Sequence, residues 1–369
     1  MLLPILGLVV VSFLISFGAT AIIKRVAPRL GFVDKPGHRK IHHAPKPLGG
    51  GVAIYLGVVL PMLAGLLYVN TGAAGVGRLS PDLAAHEAGI RFQTPLAIGL
   101  LVAMTAVHLL GLWDDRKALG PYVKLFAQLA ITAGLVVGFN LRALTVLGYL
   151  PSVVITVLWI AGITNAFNFL DNMDGLSAGV AAVCTTAFLV TALSIQQWFV
   201  AATLALLLGA LVGFLCFNFN PASIFMGDSG SLVIGLVLGV LTIRTTYLPP
   251  DTTFGAGWYA VLAPLVVLAV PLYDLIVVSI IRIGRGKSPF VGDTNHLSHR
   301  LVARGMSRRT AVLCIYLITA ATSVAAVLLP HVRTTFAAMC VFVQTLLVLG
   351  VVALLEQHPL PVQDDKVKG

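Results

Sequence analysis

Carboxylate and amide side chains stand at the ends of several apolar segments of this sequence. Asp114 and Asp115 follow one apolar run. Asn168 and Asp171 follow a second run, and Asp228 stands just before a third. A carboxylate beside hydrocarbon is costly to keep ionised, so such a group marks a functional site by default. Oxygen donors of this kind bind Mg²⁺, which in turn binds phosphorylated substrates.

The composition excludes an ordinary soluble domain. The 369 residues are 58% hydrophobic and only 10% charged, whereas soluble domains carry about 25% charged residues. Apolar stretches of about 20 residues, enough to cross the bilayer, recur along the whole chain. We therefore predict an all-α, polytopic membrane protein with about eleven spans, at residues 2–23, 48–69, 95–113, 121–139, 150–164, 175–194, 198–217, 229–247, 258–281, 310–330 and 334–355.

The basic residues predict the orientation of these spans. A dense group of Lys and Arg after the first span places that loop in the cytoplasm and the N-terminus outside. Alternation from there puts 19 of the 24 Lys and Arg inside, together with the C-terminus. We expect one membrane domain, residues 1–355, and a polar cytoplasmic tail, residues 356–369. The polar loops then share the cytoplasmic face, at residues 24–47, 113–124, 164–175, 217–231 and 282–310.

The densest polar motif spans residues 165–174. Asn165, Asn168, Asp171 and Asp174 recur at a spacing of three. Helical geometry would place neighbours in this series on roughly one face. A stripe of amides and carboxylates at a membrane boundary indicates ligand binding more than packing.

Two shorter acidic segments suggest related chemistry. The adjacent carboxylates of Asp114 and Asp115 ionise together only near a cation or in water, and Lys124 follows them, so a phosphate clamp or a solvated turn would explain them. Asp228 lies in a Gly-Asp-Ser-Gly-Ser turn and is predicted to ligate a metal, with a simple helix cap as the alternative. Phe225 is a candidate to stack on a base, or an interfacial packing residue.

A basic loop near the end of the chain contains His296, His299 and Arg300. A zinc site would need third and fourth ligands, which this loop lacks. We interpret the three side chains as donors to pyrophosphate oxygens, with a solvated basic loop as the alternative. Asp274 lies inside the ninth predicted span, where an internal ion pair or hydrogen bond is expected.

Taken in order, these segments resemble one family. They read VDKPGHRKIH with GGG, the DD pair with its Lys, NAFNFLDNMDGL, FMGDSGS and DTNHLSHRL. The chain resembles the polyprenyl-phosphate N-acetylhexosamine-1-phosphate transferases of glycosyltransferase family 4, in the WecA/TagO-like branch related to MraY. That branch usually shows an H-x-H-H pattern in its last loop, and here Ser298 stands at the third position. The triple-His form of the MraY branch is absent, which argues against a muramyl-pentapeptide substrate.

The resemblance implies a reaction and its surroundings. A sugar-1-phosphate, with GlcNAc-1-phosphate expected first, would pass from a UDP-sugar to undecaprenyl phosphate. The products would be undecaprenyl-diphospho-sugar and UMP, in the first membrane step of a cell-surface glycan pathway. Mg²⁺ or Mn²⁺ would be required at the cytoplasmic face of the plasma membrane. No nucleic-acid partner is implied, and a homodimer is a possible assembly.

The resemblance also implies residue roles. The expected metal ligands are Asn168 and Asp228. The expected catalytic residues are Asp114 and Asp115, near the lipid phosphate, and Lys124, which would clamp it. Asp171, also expected to be catalytic, matches a position near the nucleotide. Binding of the nucleotide and pyrophosphate would fall to Asp174, Phe225, His296, His299 and Arg300. Direct attack by the lipid phosphate is preferred to a covalent Asp intermediate.

Three other classes of membrane protein place acids in helices. A secondary transporter would hold them near the bilayer midplane within internal repeats, whereas here they lie at one interface and no repeat is found. An intramembrane aspartyl protease would use Tyr273-Asp274 and Gly227-Asp228, which stand in the wrong order. A CDP-alcohol phosphatidyltransferase needs an Arg soon after Asp174-Gly175, and residues 176–179 contain none.

Overall fold

A computed structural model describes residues 1–34, 45–71, 86–245, 258–289, 293–332 and 334–357. Residues 35–44 of the expected basic loop, residues 72–85 between the second and third predicted spans, and the tail beyond 357 lie outside the described residues. The described residues form fourteen α-helices, which we number α1 (Leu2–Val26), α2 (Gly50–Thr71), α3 (Glu87–Phe92), α4 (Thr94–Arg116), α5 (Pro121–Gly138), α6 (Tyr149–Leu170), α7 (Leu176–Ser194), α8 (Trp198–Asn218), α9 (Asp228–Arg244), α10 (Ala263–Val267), α11 (Ala269–Gly284), α12 (Leu297–Ala303), α13 (Arg308–Leu328) and α14 (Thr335–Gln357).

The helices confirm the prediction of a helical, multi-pass membrane protein. Among the described residues, nine helices are long and apolar enough to cross a bilayer. A tenth span would be the pair Tyr259–Val267 and Ala269–Gly284, which is bent by 67° at its break. The predicted eighth span is the 17-residue helix α9. The total of eleven spans and the side of each terminus stay predictions.

Helix α9 forms the centre of the bundle. Every residue from Ser229 to Thr242 is buried, and the helix packs against α2, α4 and α6. Glycines allow the backbones to touch, since a Cβ added at Gly235 would lie 2.4 Å from the Cα of Thr164, and one at Gly111 would lie 2.4 Å from the Ser229 nitrogen. Close approach through small residues is how membrane helices gain packing energy. The ends of these helices are thereby fixed relative to one another.

A short β-pair is the departure from an all-helical chain within the described residues. Strand β1 (Val33–Asp34) pairs antiparallel with β2 (Lys46–Pro47). The carbonyl of Pro47 accepts a hydrogen bond of 2.9 Å from the Phe225 nitrogen. The end of the first loop is therefore attached to the segment that leads into α9.

The polar stripe at 165–174 does not continue as one helix. Helix α6 ends at Leu170, and Asp171 is its C-terminal cap residue. Asn165 and Asn168 lie on the helix, whereas Asp171 and Asp174 lie in the turn that follows. The expectation of one helical face thus fails beyond Asn168, because the chain turns sharply there to enter α7.

Candidate active site

Three polar side chains from three helices surround the ammonium group of Lys124, which lies on a fourth helix. The Lys124 Nζ, on α5, lies 3.2 Å from Asp114 Oδ2 at the end of α4. It lies 3.5 Å from Asn168 Oδ1 on α6 and forms a closer ion pair with Asp228 at the start of α9. The structure thereby brings together residues that lie far apart in the sequence. Their chemical roles stay predictions.

The amide of Asn168 is oriented by α9. Its Nδ2 donates to Asp228 Oδ1 at 2.7 Å and to the hydroxyl of Ser231 at 2.9 Å. Because the nitrogen is engaged on α9, the oxygen of Asn168 faces Lys124. The sequence analysis did not single out Ser231, although its place one turn after Asp228 was the available signal.

The two adjacent acids of α4 have different partners. Asp115 accepts the backbone N–H of Asp228 at 2.7 Å and that of Ser229 at 3.1 Å. It therefore caps α9, whose unsatisfied N–H groups and positive dipole end favour a carboxylate. Asp114 instead faces Lys124 and accepts the N–H of Leu119 at 2.5 Å. One acid holds the helix and the other faces the cation.

Asp171 lies beside this cluster, in the turn after α6. Burial raises the pKa of its carboxyl well above the usual value, and the negative charges of Asp228 and Asp115 raise it further. A backbone hydrogen bond from Gly227 acts in the opposite direction. The elevated pKa thus reflects burial first and the neighbouring carboxylates second, since both disfavour ionisation.

The donors around Lys124 suit a hard divalent cation. Two carboxylates and one amide oxygen already surround an ammonium, and oxygen ligands of these types bind Mg²⁺. Asp114 and Asp228 contact Lys124, and Asp115 and Asp171 lie close to Asp228, so a second cation would relieve the excess of carboxylates. The described residues contain no group of three or more His, Cys, Asp or Glu side chains placed to hold a metal. A small protein ligand set fits Mg²⁺, which keeps several waters and binds substrate phosphates.

A second polar group lies around Asp174. Its carboxylate accepts the N–H of Ala222 at 2.9 Å and lies 3.6 Å from the Nζ of Lys46. The same ammonium lies 4.9 Å from the centroid of the Phe225 ring. The two expected nucleotide-binding residues are thus neighbours, joined by a lysine that the sequence analysis missed. The sequence analysis counted this lysine within the basic loop at 24–47 but gave it no role of its own.

His296 is held by a buried carboxylate. Asp274, which is fully buried, lies 2.8 Å from His296 Nδ1 and accepts the Leu297 N–H at 2.6 Å. The expected internal hydrogen bond of Asp274 is therefore present. Arg282, 1% exposed and missed in the sequence analysis, lies 3.3 Å from the other ring nitrogen. Its ion pair with Asp293, together with hydrogen bonds to that carboxylate, lowers the pKa of Asp293 despite partial burial.

His299 and Arg300 lie next along α12. Burial lowers the pKa of His299, and the nearby His296 lowers it further. The imidazole therefore favours its neutral form. Arg300 turns toward α14, where its guanidinium lies 2.8 Å from Glu356 Oε1. The expected contact of these side chains with pyrophosphate stays a prediction.

Ser298 occupies the position where the resemblance leads one to expect a histidine. Its side chain is buried, and its hydroxyl donates to Asn172 Oδ1 at 2.6 Å. Asn172 in turn donates to the carbonyl of Phe169 at 2.6 Å. The serine thus connects α12 to the turn that carries Asp171 and Asp174.

Comparison with known proteins decides the family. The sequence model described as glycosyl transferase family 4 matches residues 97–246, which contain Asp114, Lys124, Asn168 and Asp228. A Bacillus subtilis protein named probable undecaprenyl-phosphate N-acetylglucosaminyl 1-phosphate transferase is 32% identical over 348 residues, covering 91% of this chain and 88% of the relative. The chain belongs to glycosyl transferase family 4.

Two further relatives of this family 4 protein come from other bacteria. The decaprenyl-phosphate N-acetylglucosaminephosphotransferase of Mycobacterium tuberculosis is 32% identical, over 82% of this chain and 77% of the relative. The undecaprenyl-phosphate alpha-N-acetylglucosaminyl 1-phosphate transferase of Escherichia coli K12 is 26% identical, over 80% and 76%. The family model ends before α12, whereas the Bacillus match spans most of the chain. The family resemblance inferred from the motifs is confirmed.

Proposed function

We propose that this protein transfers GlcNAc-1-phosphate from UDP-GlcNAc to undecaprenyl phosphate, releasing UMP. The observation that carries the proposal is the convergence of Asp114, Lys124, Asn168 and Asp228 at one end of a membrane bundle. A lipid phosphate sits at the membrane surface, where such an end lies. The Bacillus, Mycobacterium and Escherichia relatives are named for N-acetylglucosaminyl phosphate transfer to a polyprenyl phosphate.

In this reaction an anionic lipid phosphate attacks the anionic diphosphate of the UDP-sugar. An oxygen of the lipid phosphate attacks the β-phosphorus of the UDP-sugar and forms a new P–O bond. The bond from that phosphorus to the bridging oxygen breaks, and UMP leaves with the electron pair. A phosphate monoester has a second pKa of about 6, so it is mostly dianionic at neutral pH and needs no dedicated base. The barrier is therefore largely electrostatic.

The residues of the cluster would lower that barrier in different ways. Lys124 is placed to hold the attacking phosphate beside the carboxylates, and Asp115 fixes the start of α9 so that Asp228 keeps its position. Asn168 and Asp228 would hold Mg²⁺. When bound, the ion would neutralise charge on the pyrophosphate. Burial and the neighbouring carboxylates raise the pKa of Asp171, and a cation bound beside those carboxylates would favour its ionised form.

The donor nucleotide would lie on the neighbouring group. Phe225 offers a ring face to uracil, and Asp174 offers a carboxylate to the N–H of that base. Lys46, close to both side chains, would balance the charge or meet a phosphate. His296 and His299 would donate to the pyrophosphate. This arrangement places the donor on the polar end of the bundle, which we assign to the cytoplasmic face of the plasma membrane.

The protease alternative fits the geometry poorly. Asp228 pairs with Lys124, whereas Asp274 is engaged by His296 and the Leu297 N–H. The two carboxylates thus have separate partners, and an aspartyl protease needs two acids that share a site.

Purified protein with UDP-GlcNAc, undecaprenyl phosphate and Mg²⁺ should release UMP. EDTA should stop the release and added Mg²⁺ should restore it. Asp228→Ala and Asn168→Ala should abolish turnover in folded protein, and a near-full rate in either would show that the metal assignment is wrong. A panel of UDP-sugars in the same assay would define the donor. Uptake of a solute into liposomes without UMP release would favour a transporter instead.

A further inference from the structure

The last turn of the C-terminal helix α14 is attached to α12. Glu356, whose side chain is 9% exposed, accepts from Arg300 at 2.8 Å and from the hydroxyl of Tyr273 at 3.2 Å. Its backbone carbonyl accepts the Arg304 Nε at 2.7 Å. Carbonyls at a helix C-terminus have no partner within the helix, and a guanidinium there also meets the negative end of the dipole. One residue of α14 therefore binds two arginines of the α12 region.

The two arginines follow the histidines along the chain, Arg300 within α12 and Arg304 as its C-cap residue. Helix α12 has seven residues, with His296 as its N-cap. Isolated helices of that length are unstable, so contacts with the rest of the protein must set its orientation. Asp274 fixes the first turn through His296, and Ser298 ties the middle to Asn172. Glu356 supplies the attachment at the other end, through Arg300 and Arg304.

We propose that Glu356 is a positioning residue: it latches α12 to the C-terminal helix and so holds His296 and His299 at the donor site. Arg300 then acts through Glu356 and lies away from the substrate, in contrast to the role expected from the resemblance. The kinetic part of this inference rests on the proposed function. The latch itself does not, because it is a contact between described residues.

Glu356→Gln is the direct test, in full-length protein. Breaking a part-buried ion pair leaves an uncompensated guanidinium, so we expect amide hydrogen exchange across Leu297–Ala303 to rise about tenfold. The KM for UDP-GlcNAc should rise about tenfold, with little change for undecaprenyl phosphate, because only donor binding uses the histidines. Arg300→Gln should give the same pattern and carries the test if Glu356→Gln fails to fold. The double variant should recover part of the loss, because no unpaired charge then remains.

Tyr273→Phe is the matched control. It removes one hydrogen bond from Glu356 and leaves the ion pair to α12 intact. Exchange in α12 and the donor KM should both stay near the wild-type values. Equal effects from Tyr273→Phe and Glu356→Gln would overturn the proposal, since the packing of α14 alone would then explain them.

Two further results would count against the latch. Unchanged exchange across α12 in Glu356→Gln would show that the ion pair does not hold the helix. An equal rise in KM for both substrates would show general disruption of the site. If the wild-type protein released no UMP with any UDP-sugar, the proposed function would fail, and the exchange comparison would still decide the latch.

Discussion

At the Lys124 cluster, Asp114 and Asn168 stand near the ends of two long helices, α4 and α6, whose backbones contact α9. Asp228 begins α9 itself, and Lys124 lies in the first turn of α5, which packs against α4 and α6. The histidines stand instead on a seven-residue helix that is held by side-chain hydrogen bonds and ion pairs. Packed backbones are stiff, whereas a short tethered helix opens at lower free energy. We infer that the first region fixes charges for chemistry and that the second adjusts to the donor.

The largest expected effect comes from removing the ammonium group of Lys124, in the region of packed helices. Lys124→Met should lower kcat by about a thousandfold, because a preorganised charge at the reacting phosphate is lost. Lys117→Met, in the same segment but at an exposed lysine, should keep wild-type activity. UMP release per folded protein measures both variants. Similar losses in the two would show that general surface charge, and not the cluster, drives the rate.

The next effect tests whether packed backbones hold the rigid region. A Cβ at Gly235 would lie 2.4 Å from the Cα of Thr164, and backbone atoms cannot move aside cheaply. Gly235→Ala should therefore destabilise the protein by about 1–3 kcal/mol. Gly134→Ala, where nothing lies within 4 Å, should be neutral or slightly stabilising. Thermal unfolding in detergent distinguishes them, and equal midpoints would refute the packing argument.

A third variant probes the tethered region. Asp274→Asn keeps the shape of the side chain but removes the charge that faces His296. We expect kcat/KM for the donor to fall about tenfold, which is the order of effect expected when the carboxylate that orients a functional histidine is lost. Ser279→Ala, on the same helix, removes a hydroxyl that bonds only its own helix and should be neutral. If Ser279→Ala lowered kcat/KM for the donor as much as Asp274→Asn does, the effect would come from general damage to α11.

The same contrast explains what the sequence could predict. Hydropathy predicted the helical membrane fold. The polar segments identified Asp114, Lys124, Asn168 and Asp228 as candidate site residues, because helix ends are visible as breaks in apolar runs. The contacts that hold α12 could not be predicted from the sequence. Glu356 and Asn172 are single polar residues whose partners lie 56 and 126 positions away, and no local spacing records such pairs. The end of α6 at Leu170 was also missed, since a period of three fits both a helix and the turn after it.

The smallest expected effect tests the link between the two regions. Ser298 and Asn172 connect α12 to the turn that carries Asp174, by one hydrogen bond of 2.6 Å. Ser298→Ala should weaken donor binding by a few-fold, since one such bond is worth about 1 kcal/mol. Asn172→Ala should weaken donor binding more than Ser298→Ala does, because it also removes the hydrogen bond to the carbonyl of Phe169.

A double-mutant cycle isolates the shared bond between these two residues. The Ser298→Ala/Asn172→Ala variant should lose about 0.5–1.5 kcal/mol less than the two single losses added together, measured from kcat/KM for UDP-GlcNAc. Simple additivity would mean that the hydroxyl and the amide act separately. Helix α12 would then be positioned by Asp274 and the two arginines alone. The turn that carries Asp174 would be independent of that helix.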